Sequence, residues 1–246
     1  MEYRFVLDMH THTVVSGHAY CTLREMARAA ADKGLVALGI TEHAPKMPGT
    51  CHIYYFENLK IVPREMYGVQ LYLGSEVNIL NDRGEVDLPE KLLREMDVVV
   101  ASLHTNCCAP GSKKENTNAY LHAMENPYVN IIGHPDDGRY EVDYPELVRG
   151  AKACGKVLEL NMHSMDPSSH RIHALENDRE ILELCMKYEV PVIADSDAHF
   201  DDYIGAFDKG RQILEQVSFP EELLLNRSLE AAAGYLNRRV TIHSHI

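Results

Sequence analysis

Seven short runs of almost unbroken apolar residues recur along the chain, at 3–7, 36–41, 70–77, 98–102, 129–133, 156–160 and 190–194. None alternates polar and apolar positions, so the pattern predicts strands buried on both faces, as in a parallel sheet covered by helices. Helical spacing fills the gaps between them. Thr22-Leu23-Arg24-Glu25 forms a capping box for a helix that passes through Ala27, Ala30 and Ala31 and closes at Lys33-Gly34. Shorter or longer helices are predicted over 89–95, 115–125, 145–153 and 177–188, the third with Pro145 at its start. Residues 44–70 carry Pro45, Pro48, Gly49 and Pro63 without a period and predict a long loop with a short helix, while Asn81-Asp82-Arg83-Gly84 reads as a turn. Further helices follow Lys209, Glu221 and Ser228, the last two covering the outside or bottom of the fold. Strand followed by helix, repeated seven times within 246 residues, predicts one α/β domain over 1–246 closed into a TIM-like barrel. In such barrels the functional site lies at the carboxyl ends of the strands.

Composition narrows the setting. Apolar residues make up 45% of the chain, enough for a single large core, and no linker, repeat or low-complexity run divides it. A formal net charge of −13 with no basic stretch argues against a protein that wraps nucleic acid, and no apolar run reaches membrane-spanning length. Met1-Glu2-Tyr3-Arg4-Phe5 enters the first strand without the features of a signal peptide, so a cytoplasmic protein is expected. Cys21, Cys51, Cys107, Cys108, Cys154 and Cys185 lack Cys-x-x-Cys spacing and read as reduced, small apolar residues, although Cys107 and Cys108 follow closely behind His104.

The chemistry sits where the strands stop. Asp8-Met9-His10-Thr11-His12 puts two imidazoles on one face of a period-two pleat, and His18 follows in the next loop. His43 follows the second run, Glu76 lies at the end of the third, His104 and His134 follow the fourth and fifth, and Asp197 and His199 follow the seventh. Taken singly, each has an ordinary structural explanation; closing the barrel brings all nine to one rim. That is more than one zinc ion uses, and about three ions are served if Glu76 and Asp197 employ both oxygens. Imidazole and carboxylate without thiolate suit Zn²⁺, Mn²⁺ or Fe²⁺. Closely spaced ions can generate a hydroxide near neutral pH and clamp a displacement at phosphorus, so phosphoester hydrolysis is the natural chemistry.

Asp8-Met9-His10-Thr11-His12, Ile40-Thr41-Glu42-His43, Gly74-Ser75-Glu76, Ser102-Leu103-His104, Ile132-Gly133-His134-Pro135 and Asp195-Ser196-Asp197-Ala198-His199 together resemble the motifs of the PHP (polymerase and histidinol phosphatase) superfamily. Ser16 to Thr22, Phe56 to Arg64 and Glu85-Val86-Asp87 look most like its YcdX-type branch. The resemblance implies a stand-alone phosphatase with a distorted seven-stranded (β/α)7 barrel and a trinuclear site, zinc being the first expectation and manganese or iron the alternatives. It assigns His10, His12, Glu76 and Asp197 to one ion, Glu76, His104 and His134 to a second, and His18, His43 and His199 to a third. The implied reaction is attack of a metal-bridging hydroxide on a small phosphomonoester, with Glu76 and Asp197 in catalytic roles; a homo-oligomer is compatible with the resemblance. Departures lie in the loops Asp136 to Tyr140 and Asn161 to His173, which bear on substrate choice.

Beyond the ligands, Arg139 is a candidate phosphate clamp and Asn161, at the end of the sixth strand, a candidate for orienting substrate or hydroxide. Lys113 and Lys114 read as a surface pair, and His52, His163, His170 and His173 as loop residues near the rim, with His243 and His245 in a loose tail. Two other reactions use similar metals: phosphodiester or exonuclease cleavage, and amidohydrolase-like carbon–nitrogen hydrolysis. The latter normally needs a lysine where His104 stands and leaves His18, His43 and His199 without a task. A non-catalytic metal-binding protein is the third class.

Overall fold

The computed structural model describes residues 3–238, so the tail with His243 and His245 lies outside the described residues. Eight strands form one sheet: β1 (Leu7–Asp8), β2 (Ala37–His43), β3 (Glu65–Met66), β4 (Val69–Asn78), β5 (Val98–Ser102), β6 (Ile131–Ile132), β7 (Val157–Asn161) and β8 (Val192–Asp195). Seven of them run parallel in the order β1-β2-β4-β5-β6-β7-β8, which is chain order, while β3 pairs antiparallel with β4 at its edge. Helices α1 (Leu23–Asp32), α2 (Tyr54–Glu57), α3 (Glu90–Leu93), α4 (Lys113–Met124), α5 (Tyr144–Cys154), α6 (Ala174–Tyr188), α7 (Asp208–Val217) and α8 (Leu229–Ala233) alternate with the strands or finish the chain. The capping box of α1 is formed, and a second one, Ser112 with Glu115, opens α4.

The ring between β8 and β1 is nearly closed, by isolated hydrogen bonds rather than a ladder. At the upper end the amide of Asp197 donates to the carbonyl of His10 and that of His12 to the carbonyl of Ala198, both at 2.9 Å. Lower down, the buried Asn226 fills the gap. Its amide nitrogen donates to the carbonyls of Leu7 and Ala194, its side-chain oxygen accepts from the amide of Ala194, and its own carbonyl accepts from Val6. One side chain thereby satisfies backbone groups that an open sheet edge would leave orphaned.

Apolar strands fit this architecture because both of their faces are covered. Inside the barrel, Leu7, Met9, Tyr72, Val98, Val100, Ile131, Val157 and Ile193 pack together, and Leu225, Leu229, Ala232 and Leu236 close the lower end. The other face packs against the helices through residues such as Leu38, Leu71, Val99, Leu147, Ile181 and Leu214. Each fully buried aliphatic side chain contributes about 1.5–3 kcal/mol relative to exposure.

Some boundaries differ from expectation. The first strand begins at Leu7 rather than Tyr3, whose hydroxyl instead donates to the carbonyls of Leu214 and Phe219. The fifth predicted strand shrinks to Ile131–Ile132, and the segment after Glu221 forms two 3-10 turns before the short α8. Within the long loop, β3 makes an unpredicted hairpin with β4, its turn formed by Tyr67 and Gly68 at positive φ. No helix among the described residues is long and apolar enough to cross a membrane.

Candidate metal centre

The strand order carries all nine predicted side chains to the carboxyl end of the barrel. Glu76, on β4, is the hub. Its Oε1 lies 2.9 Å from His134 Nε2 and 3.1 Å from His104 Nε2; its Oε2 lies 2.6 Å from His43 Nδ1, 3.4 Å from His10 Nε2 and 3.6 Å from His12 Nε2. Asp197 Oδ1 stands 3.2 Å from His12 Nε2 and 3.6 Å from His10 Nε2. His18 stacks between His43 and His199, each ring centroid 4.8 Å away, and His12 lies 4.4 Å from His199. The His18 loop depends on Gly17 at φ 83°, where a Cβ would sit 2.0 Å from the carbonyl oxygen of Gly49. His134 and Asp197 adopt positive φ, 32° and 54°, a conformation costly for such residues and concentrated at functional sites.

Hydrogen bonds on the far side of four of the rings fix which nitrogen faces the centre. The buried Glu159 Oε1 accepts from His10 Nδ1 at 2.6 Å, and Asn78 Oδ1 accepts from His104 Nδ1 at 2.8 Å. Ser16 Oγ spends its proton on Glu42 Oε2, and therefore accepts from His12 Nδ1 at 3.1 Å. The carbonyl of Asp197 accepts from His199 Nδ1 at 2.9 Å. In His12, His104 and His199 this leaves Nε2 with its lone pair, the arrangement that orients histidine toward a metal, and in His10 it turns Nε2 toward the centre.

Burial reinforces this. It pushes His104 and His199 down to about 4 and lowers His12 as well, so these three rings are neutral near pH 7. His10 differs: burial lowers it, but Glu159, Glu76 and Asp197 outweigh that and raise it. Burial opposes the charge of Glu76 and Asp197, yet the surrounding histidines, joined by Arg171 at Asp197, hold both well below the usual carboxylate range.

The residues fit a metal-binding role. His43 Nδ1 and Glu76 Oε2 are both buried without a hydrogen-bond partner, although they approach to 2.6 Å. Two ligands of one tetrahedral zinc lie about 3.3 Å apart, given bonds near 2.0–2.1 Å, and most contacts around Glu76 cluster near that spacing. Three groups can each converge on one ion: His12 with His43 and His199, His10 with His12 and Glu76, and His43 with Glu76 and His104.

Three side chains that patterning did not single out complete the mouth. Glu159 points into the barrel from β7, where a lone acid among Val157, Leu158 and Leu160 was the available signal. Glu42, on β2, holds the His12 and His18 loop through Thr13 and Ser16. Arg171 reaches in from the loop before α6; its guanidinium donates to Asp197 Oδ2 at 3.0 Å, Asn161 Oδ1 at 2.9 Å and Ser164 Oγ at 3.0 Å. Burial disfavours its charge, but Asp197 and Asp136 hold it protonated. Nothing in its loop's spacing marks it.

The other predicted residues divide. Asn161 bridges Glu159 and Asp197 with its amide while its oxygen receives Arg171, a positioning role inside the site. Arg139 borders the pocket, but its Nε and one terminal nitrogen bind Asp137 bidentately at 2.6–3.0 Å. His163 and His170 also line this pocket, of about 440 Å³, whereas Lys113 and His173 line a different cavity. Burial pushes the Cys107 thiol up to about 11, unlike a thiolate ligand.

A parallel α/β barrel with a histidine and carboxylate cluster at its mouth defines a class of metal-dependent hydrolases, and comparison with known proteins names the family. The PHP domain model matches residues 8–219, so the chain belongs to the PHP family. It is 46% identical to a probable phosphatase of Clostridium novyi (strain NT), over 96% of each chain. It is 43% identical to a probable phosphatase of Caldanaerobacter subterraneus subsp. tengcongensis, covering 97% of this chain and 94% of that one. Among solved structures it resembles the histidinol phosphate phosphatase of Lactococcus lactis, complexed with zinc, L-histidinol and phosphate. The TM-score is 0.64 at 19% identity, over 87% of this chain and 94% of that chain, a likeness that establishes the fold.

Proposed function

We propose that this PHP phosphatase hydrolyses a small phosphomonoester at a trinuclear centre. His10, His12, Glu76 and Asp197 would hold one ion, Glu76, His104 and His134 a second, and His18, His43 and His199 a third. The observation that carries this reading is the position of Glu76, whose two oxygens face five imidazole nitrogens while Oε2 lacks a hydrogen-bond partner. Divalent ions supply Lewis acidity, making water nucleophilic near neutral pH and offsetting charge at phosphorus.

The chain's own residues do the positioning. Glu159, Asn78 and Ser16 fix ring tautomers, and Asn161 with Arg171 holds Asp197 by the oxygen turned away from His12. Arg171 and Arg139 line the pocket and place positive charge where a phosphoryl dianion would enter an otherwise acidic protein. The names of the relatives support the phosphatase class.

The test is phosphate release from a panel of phosphomonoesters by protein reconstituted with Mn²⁺ or Zn²⁺. Release that stops with a chelator and returns with metal supports the proposal. A panel left untouched by the metal-loaded protein, or hydrolysis indifferent to the chelator, would overturn it.

A further inference from the structure

A second cavity, of about 410 Å³, opens beside the metal pocket and shares His163, Asp197 and His199 with it as common walls. Its volume lies within the range of small-molecule sites. The two differ in chemistry. Imidazoles and arginines ring the first, whereas Met162, Ala198, Phe200, Tyr203 and Ala206 line much of the second, with Tyr20 at its edge.

The three aromatic residues are exposed in the free protein, Tyr20 by 75%, Phe200 by 41% and Tyr203 by 59%. Their placement is not loose. The backbone amide of Tyr20 donates to the carbonyl of His199 at 3.0 Å, and Phe200 leads directly into the turn Asp201–Tyr203. Exposed rings flanking a cavity offer apolar area that a ligand ring would cover, with a further gain from offset or edge-to-face contact. Lys209, the one cation among the residues lining this cavity, is bound to Asp166 Oδ2 at 3.3 Å and to the carbonyl of Met165, so the cavity presents no free cation for a phosphate. A phosphoryl group at the imidazole cluster would therefore extend its organic part past Asp197 and His199 into this space.

We propose that this cavity is the leaving-group subsite and that it selects phosphomonoesters whose alcohol carries an apolar ring without a second anionic group. The inference rests on the phosphatase reading, and a matched pair of substrates separates the two. Phenethyl phosphate and propyl phosphate release alcohols of similar acidity, so their kcat/KM ratio on the Mn²⁺-loaded protein reports the ring alone. Burial of the ring predicts a preference for phenethyl phosphate of about ten- to a hundredfold.

In Phe200→Ala/Tyr203→Ala the ratio falls to within about threefold of unity, on the same area reasoning. Neither side chain belongs to the buried core, so the core survives their truncation. Equal kcat/KM for the two esters in the parent protein overturns the subsite and leaves the phosphatase reading standing. So does a preference that survives the double substitution; a smaller assembly by sedimentation would then make these rings a contact between copies. Hydrolysis of neither ester overturns both proposals.

Discussion

The two ends of the barrel are built from the same strands and follow opposite rules. At the lower end, Leu225, Leu229, Ala232 and Leu236 press against Leu7, Tyr72, Val98 and Ile193, and burial is apolar and stabilising apart from the Tyr72 hydroxyl, which has no partner. At the mouth, Glu76, Asp197, His10 and His12 are as deeply buried, yet Glu76, His43 and His134 each keep an unpartnered polar atom, and His134 and Asp197 adopt positive φ. A protein selected for stability alone would not assemble such a cluster, because buried polar groups without partners cost free energy. The floor holds the barrel together; the mouth spends part of that stability on a site that cations would complete.

Substitutions at the two ends should separate cleanly. The largest effect is expected from Glu76→Gln, which removes the carboxylate proposed to be common to two ions: phosphate release should fall by about a thousandfold or more, several kcal/mol of transition-state stabilisation. Circular dichroism should show the fold intact, since the barrel core is untouched. Next comes Leu225→Ala at the floor, where a cavity should cost about 2–3 kcal/mol in urea unfolding with kcat/KM unchanged well below the transition. An activity loss there without a stability loss would break the contrast between the ends.

Glu159→Gln tests the support of His10. It should lower metal affinity or activity by about ten- to a hundredfold, read by titration with Mn²⁺, because the ring loses its anionic hydrogen-bond partner. The smallest effect is expected from Arg139→Ala, about threefold in KM, because much of its guanidinium is committed to Asp137. A hundredfold loss would mean that Arg139 releases Asp137 when substrate binds.

The mouth was more legible in the sequence than its supports. Ligands at strand ends stand out because acids and histidines interrupt apolar runs at a repeated place, and parallel topology then brings them together. Glu159 was visible as an acid in an apolar strand but carried no mark of its partner, which lies 149 residues away at His10. Arg171 sits in a loop with no period, so only the folded path brings it to Asp197. The β3 hairpin was hidden for a related reason: Tyr67-Gly68 is an uncommon turn pair, and the strand that leads into it is two residues long. The short β1 shows the opposite error, an apolar stretch that continues beyond the ladder because Tyr3 anchors to Leu214 and Phe219 instead.

Everything proposed for this protein depends on the mouth of the barrel being a polynuclear metal site that hydrolyses phosphate esters. Metal analysis and phosphate release measured on one reconstituted sample test it most directly. About three divalent ions per chain are expected, with activity lost as they are stripped and regained as they return. Full activity at one ion per chain or none would contradict it.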